Sequence, residues 1–224
     1  MHTRPSRLTV PALLLLPLLG AYGGWAAITV QDLPDYVVAG QPVTLTFMVR
    51  QHGVSKLSGL KPRVEARATG AGGGGGTTAE APAAPGREAG QYVATLTLPR
   101  AGAWRITIHS GFGNSQVTLL PLPAIVAGNA PPAPPAESER GRRLFVAKGC
   151  LTCHVHGDVA GSGVVAVGPD LTGRRLAADY LRQFLANPAI VARSGAPQMP
   201  NLDLKPQEIA ALSAFISAER RALQ

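Results

Sequence analysis

The chain has two cysteines, and a histidine follows the second directly: Cys150-Leu151-Thr152-Cys153-His154. Thiols separated by two residues, on one turn of backbone, can reach the two vinyl groups along one edge of a porphyrin and form thioethers. The adjacent imidazole is then placed beneath the iron, and C-x-x-C-H is the pattern of such haem attachment. Other chemistries compete for the same residues. A Cys150–Cys153 disulfide suits an oxidising compartment. A thioredoxin-like pair wants a βαβ context that the surrounding sequence lacks. Zinc wants four well-separated donors, whereas Cys150, Cys153, His154 and His156 crowd into one short stretch with no further cysteine to help.

The elements that would position this motif are helical. Leu176, Tyr180, Leu181, Phe184 and Leu185 recur at helical spacing until Asn187-Pro188, and Ile209, Leu212, Phe215 and Ile216 recur after Pro206. Gly141, Leu144, Phe145, Lys148 and Gly149 lead into the motif. Gly168-Pro169-Asp170-Leu171 follows it, and then come Gln198-Met199-Pro200-Asn201, Leu204, Pro206, Glu208 and Ile209. In that order these segments resemble the class I c-type cytochromes along nearly all of residues 137–224.

The resemblance implies an all-α cytochrome c fold with one haem c, covalently bound through Cys150 and Cys153. It implies His154 and Met199 as axial ligands of the iron. The carbonyl of Pro169 would accept a hydrogen bond from the proximal imidazole and fix its tautomer, as a partner of a ligating histidine should. Arg174, just beyond, is a candidate contact for a haem propionate, with a solvated surface arginine as the alternative. Of three methionines, Met1 is the initiator and Met48 lies in another domain. Pro197 and Pro200 stiffen the backbone on either side of Met199. His156 is too close to His154 in sequence to reach the opposite haem face. With both axial positions filled, a thioether raising the potential and no evident acid/base pair among Asp158, Asp170, Asp179 and Glu208, the expectation is a carrier of single electrons. It is not an enzyme, although it could serve as a subunit of an oxidoreductase complex.

Composition bounds the rest. A length of 224 residues leaves room for one large domain or two small ones. With 26 Gly and 20 Pro a helical repeat array or coiled coil is excluded, and 46% hydrophobic content excludes disorder throughout. The net charge of +8 suits acidic protein partners, anionic membrane surfaces or nucleic acid. His2, Arg4 and Arg7 precede an uncharged stretch from Leu8 to Val30. Residues 1–27 therefore read as a signal peptide or an N-terminal membrane anchor, with Pro11, Pro17 and Gly23-Gly24 weakening a long helix and favouring cleavage. Either way the bulk is extracytoplasmic, in the periplasm or on the outer face of the cytoplasmic membrane, soluble or anchored. Nucleic acid drops out as a partner.

Residues 28–123 read as a β-sandwich. Val43, Leu45, Phe47 and Val49 alternate with Thr44, Thr46, Met48 and Arg50, Tyr92, Ala94, Leu96 and Leu98 with Val93, Thr95 and Thr97, and Trp104, Ile106 and Ile108 with Arg105, Thr107 and His109. Ile28 to Gln31, Val64 to Ala68 and Gln116 to Leu120 supply further short strands. Asp32-Leu33-Pro34, Ala39-Gly40-Gln41-Pro42, Gln51-His52-Gly53 and the run from Gly90-Gln91-Tyr92 to Ala101-Gly102-Ala103-Trp104 resemble the YtkA-like immunoglobulin-like extracytoplasmic domains. Five consecutive glycines and small residues make 70–89 a flexible loop, and the Pro/Ala segment 124–136 a linker. Residues 137–224 form the cytochrome domain.

Met48 and His52 fall on one strand face, a soft donor and an imidazole that would suit copper. At about 3.3 Å per residue they stand roughly 13 Å apart, too far for one ion unless the strand bends. The expected whole is an exported monohaem cytochrome c in a respiratory chain, taking electrons from a quinol-oxidising complex and passing them to a terminal oxidase. The sandwich would dock or space it. A haem-based redox or gas sensor, or a copper-handling protein with a haem reductase domain, are the alternatives.

Overall fold

The computed structural model describes residues 24–69, 76–159, 165, 167–191 and 198–218. Most of the candidate signal or anchor, residues 1–23, lies outside them. Among the described residues no helix is long and apolar enough to cross a membrane.

The N-terminal half is an all-β immunoglobulin-like sandwich. One sheet has the order β1 (Ala26–Val30), β3 (Pro42–Gln51), β8 (Gln91–Thr97) and β7 (Ala84–Pro85), with β4 (Ser55–Lys56) also on β3. The other runs β2 (Val37–Val38), β11 (Leu122–Ile125), β9 (Gly102–His109), β5 (Arg63–Thr69) and β6 (Thr78–Pro82), with β10 (Gln116–Thr118) also on β9. Among the described residues only the β2–β11 pair is parallel. Alternation places Leu45, Phe47, Val49, Tyr92, Ala94 and Leu96 from one sheet against Trp104, Ile106, Ile108 and Val64 from the other, in a single core. The polar tips of the large aromatics are satisfied inside it. Trp104 Nε1 donates to the Arg100 carbonyl at 3.0 Å, and Tyr92 Oη donates to the Leu57 carbonyl at 2.9 Å.

Three stretches differ from the sequence reading. The strand β1 opens at Ala26, inside the stretch read as the end of a signal, because its apolar run is a fully buried strand. Within 70–89, expected to be a loop, β6 and β7 pair with β5 and β8. These are short strands of small residues held by backbone hydrogen bonds, so composition gave no sign of them. The strand β11 extends to Ile125, which leaves the exposed residues 126–136 as the connection.

The C-terminal half has a cytochrome c fold. Helices α1 (Glu137–Ala147) and α3 (Pro206–Ile216) cross closely, and α2 (Ala178–Ala186) packs on α3. The crossing depends on Gly141, where a Cβ would overlap the Ala211 carbonyl oxygen. Leu144, Phe145, Leu181, Leu185, Ile209, Leu212, Phe215 and Ile216 form its core. Helix α2 ends at Ala186, and the Asn187 side chain caps the turn that follows by accepting from Ala189 N–H.

The halves meet face to face. In β1 and β3 the residues that point away from the sandwich core, Ala27, Thr29, Met48 and Arg50, are buried as well. Further back along β3, Thr44 on that same outer face is exposed. The helical half covers one end of this face. Thr29 Oγ1 donates to the Lys148 carbonyl at 3.4 Å and Lys148 Nζ donates to the Gln31 carbonyl at 2.8 Å. Lys148 also pairs with Glu208 at 2.7 Å, both side chains being buried.

Candidate functional site

Helix α1 ends at Ala147, capped by Lys148, and Gly149 turns the chain in the left-handed region (φ 75°). A Cβ there would come within 2.6 Å of the Ile28 carbonyl oxygen of β1, so glycine is required both for the turn and for the close approach. One short 3-10 turn, Cys150–Thr152, follows, and the backbone N–H groups of Cys153 and His154 both donate to the Cys150 carbonyl, at 3.1 and 2.9 Å. The motif is thus wound on one turn. The thiols are not bonded to each other. Burial pushes the Cys150 thiol up to about 12 and also raises that of Cys153. Protonated, desolvated thiols are poor redox-active thiolates.

His154 is held from behind. Its Nδ1 lies 3.0 Å from the Pro169 carbonyl oxygen, and a carbonyl can only accept, so Nδ1 carries the proton and Nε2 is the basic nitrogen. The segment carrying Pro169 is tied to the motif by Gly168 N–H donating to the Cys153 carbonyl at 2.9 Å and Leu171 N–H donating to the Val155 carbonyl at 2.8 Å. A Cβ on Gly168 would overlap the His154 ring, so that glycine is the ring's seat.

Met199 is half-buried and packs against the helical core. Around it Gln198 Nε2 donates to the Pro188 carbonyl at 2.8 Å, and Asp203 N–H donates to Asn201 Oδ1 at 2.9 Å. Glu208 caps the start of α3 by accepting from Lys205 N–H at 3.0 Å. Residues 192–197, including Pro197, lie outside the described residues. Arg174 is exposed, with its charge near Asp170.

His156 sits in the core, its ring 5.6 Å from that of Phe145 and 4.4 Å from that of Phe215. In the sandwich, β3 ends at Gln51 and His52 sits in a left-handed turn (φ 51°) against Trp25. Met48 and His52 therefore do not share a strand face, contrary to the alternation reading. His109 is half-buried with Nε2 3.7 Å from a Glu65 oxygen.

Two features escaped sequence reasoning. The Ser213 hydroxyl is wholly buried in α3 without a hydrogen-bond partner. Arg50, also buried, donates to Thr29 Oγ1 at 3.4 Å and stands 3.8 Å from Asp203, and burial lowers its pKa. A cavity of about 570 Å³ opens between Gln116–Pro121 and Arg142, Leu151, Thr152 and Asp158, but neither His154 nor Met199 lines it.

The donor set fits a haem. Two unpaired thiols on one turn, an imidazole whose Nδ1 is engaged and a half-buried thioether in the helical core are the groups such a cofactor uses. Comparison with known proteins agrees at the level of the domain. Residues 136–216 match the family described as cytochrome c oxidase, cbb3-type, subunit III. The helical half is therefore similar to a c-type cytochrome domain, which supports a haem-containing electron carrier. Among solved structures, the filamin domain of Lin-41 is 14% identical with a TM-score of 0.34, covering 46% of this chain and 93% of that one. No curated protein matches the sequence.

Proposed function

We propose that the protein is an exported monohaem cytochrome c that carries single electrons in a respiratory chain, between a quinol-oxidising complex and a terminal oxidase. The N-terminal domain, of YtkA-like type, is its docking or spacing module. The observation that carries this reading is the C-x-x-C-H turn with His154 Nδ1 held 3.0 Å from the Pro169 carbonyl. When bound, haem c supplies an iron that alternates between ferric and ferrous states. Cys150 and Cys153 hold it as thioethers, and His154 presents Nε2 in an orientation that the Pro169 carbonyl fixes. Met199 would offer the soft thioether donor that favours the ferrous state. Arg174 would meet a haem propionate.

The test is co-expression with a cytochrome c maturation system. Covalent haem, a low-spin ferrous spectrum and a weak near-red methionine-to-iron band that disappears in Met199→Ala are the expected result. No covalent haem would remove Cys150, Cys153 and His154 from their assigned roles, and a high-spin ferrous form that takes up carbon monoxide readily would make the protein a sensor.

A further inference from the structure

The segment that follows Met199 rests on the sandwich rather than on its own domain alone. Gly53, in the turn after β3, lies so close to Pro200 that a Cβ there would be 3.3 Å from Pro200 Cγ, and the Trp25 ring borders the same spot. Arg50 faces Asp203 at 3.8 Å. Lys205 pairs with Asp32, just beyond β1. These contacts fall on three positions spread along 200–205, and all come from the edge formed by β1, β3 and the turns at their ends. The outer face of those strands supplies the rest of the joint, since Ala27, Thr29 and Met48 are buried where the helical half covers them.

We propose that the sandwich is the positioning element of the distal ligand: β1, β3 and the His52–Gly53 turn hold residues 200–205 so that Met199 stays directed at the iron. The proposal rests on the reading of Met199 as an axial ligand. A loop held at one end by its own helix α3 and along its length by a second domain has fewer conformations in which the thioether swings away. The fraction of time the position is open is correspondingly small, and an external ligand that binds only the open form meets an apparent affinity reduced by that fraction.

Imidazole titration of the ferric full-length holoprotein reads this fraction directly, since imidazole must displace the methionine. Thr29→Phe places a large side chain against the Lys148 carbonyl and parts the two faces, while pointing away from the sandwich core. Its control is Thr44→Phe, on the same outer face of the same sheet but outside the covered end. Imidazole is expected to bind about tenfold more tightly to Thr29→Phe than to the unaltered protein, with Thr44→Phe unchanged. Asp203→Asn keeps an exposed residue that tolerates the left-handed backbone while removing the charge facing Arg50, and should give a tightening of about twofold. If Thr29→Phe does not fold, Asp203→Asn decides alone. Equal imidazole affinity in all holoproteins, with the methionine-to-iron band intact in each, would overturn the proposal. An unaltered protein with covalent haem but no such band would instead overturn the ligand assignment beneath it.

Discussion

The sandwich and the helical half differ in how they are filled. Among the largest wholly buried side chains only Phe145 and Leu212 belong to the helical half, whereas Trp104, Tyr92, Phe47, Ile28, Leu45, Ile106 and Ile108 all belong to the sandwich. The helical half also leaves Val155, Val165, Val167, Tyr180 and Ile190 exposed. A domain of this size with three helices buries a small share of its surface by itself. The sandwich can be explained by its own alternation and hydrogen bonds. The helical half reads as a protein shell whose stability is shared with a cofactor and with the sandwich face it lies on.

Removing both thioether sites tests that contrast most strongly. Cys150→Ser/Cys153→Ser in the full chain is expected to lose hydrogen-exchange protection across α1, α2 and α3 while the strands keep theirs. Equal protection in both halves would show that the helices stand without help. Trp104→Ala probes the opposite side. Truncating a wholly buried indole should cost the sandwich about 3–5 kcal/mol in denaturant unfolding, with the low-spin haem spectrum retained below that transition. The smallest effect concerns acid. The Glu139 carboxyl is held below the usual range, chiefly by its hydrogen bond from Arg142 at 2.8 Å, with Arg143 assisting. A carboxylate whose folded pKa is depressed stabilises the fold fully above its unfolded value of about 4.3, and that contribution disappears as pH falls through the lower folded value. Glu139→Gln should therefore flatten the acid limb of a stability–pH curve slightly and leave neutral pH almost unchanged, the pair being half exposed and screened.

Legibility in the sequence followed the range of the interactions. Strands β8 and β9 were readable because each buries one face, and β3 because it does so over its first half, which alternation records directly. The five residues of β1 are buried on both faces, so they carry no alternation and look like the tail of an apolar leader. The thiols, His154 and Pro169 were readable because the motif is local. The Lys148–Glu208 pair and the grip of Arg50 on Asp203 were not, because residues far apart in sequence meet only when the sheet and the helices close on each other. Lys148 looked like part of a helix end, and Glu208 like an ordinary first-turn acid.

The exposed proline-rich stretch 126–136 has a consequence for how that seam stays shut. The face made by Ala27, Thr29 and Met48 is built of small or unbranched side chains, with the Trp25 ring only at its margin beside Gly53 and Pro200, whereas separate proteins hold each other at low concentration through central aromatic anchors. A short tether makes the encounter intramolecular, at an effective concentration of about a millimolar. Contacts too weak to recruit a free partner can then keep the two halves closed, at any dilution of the protein.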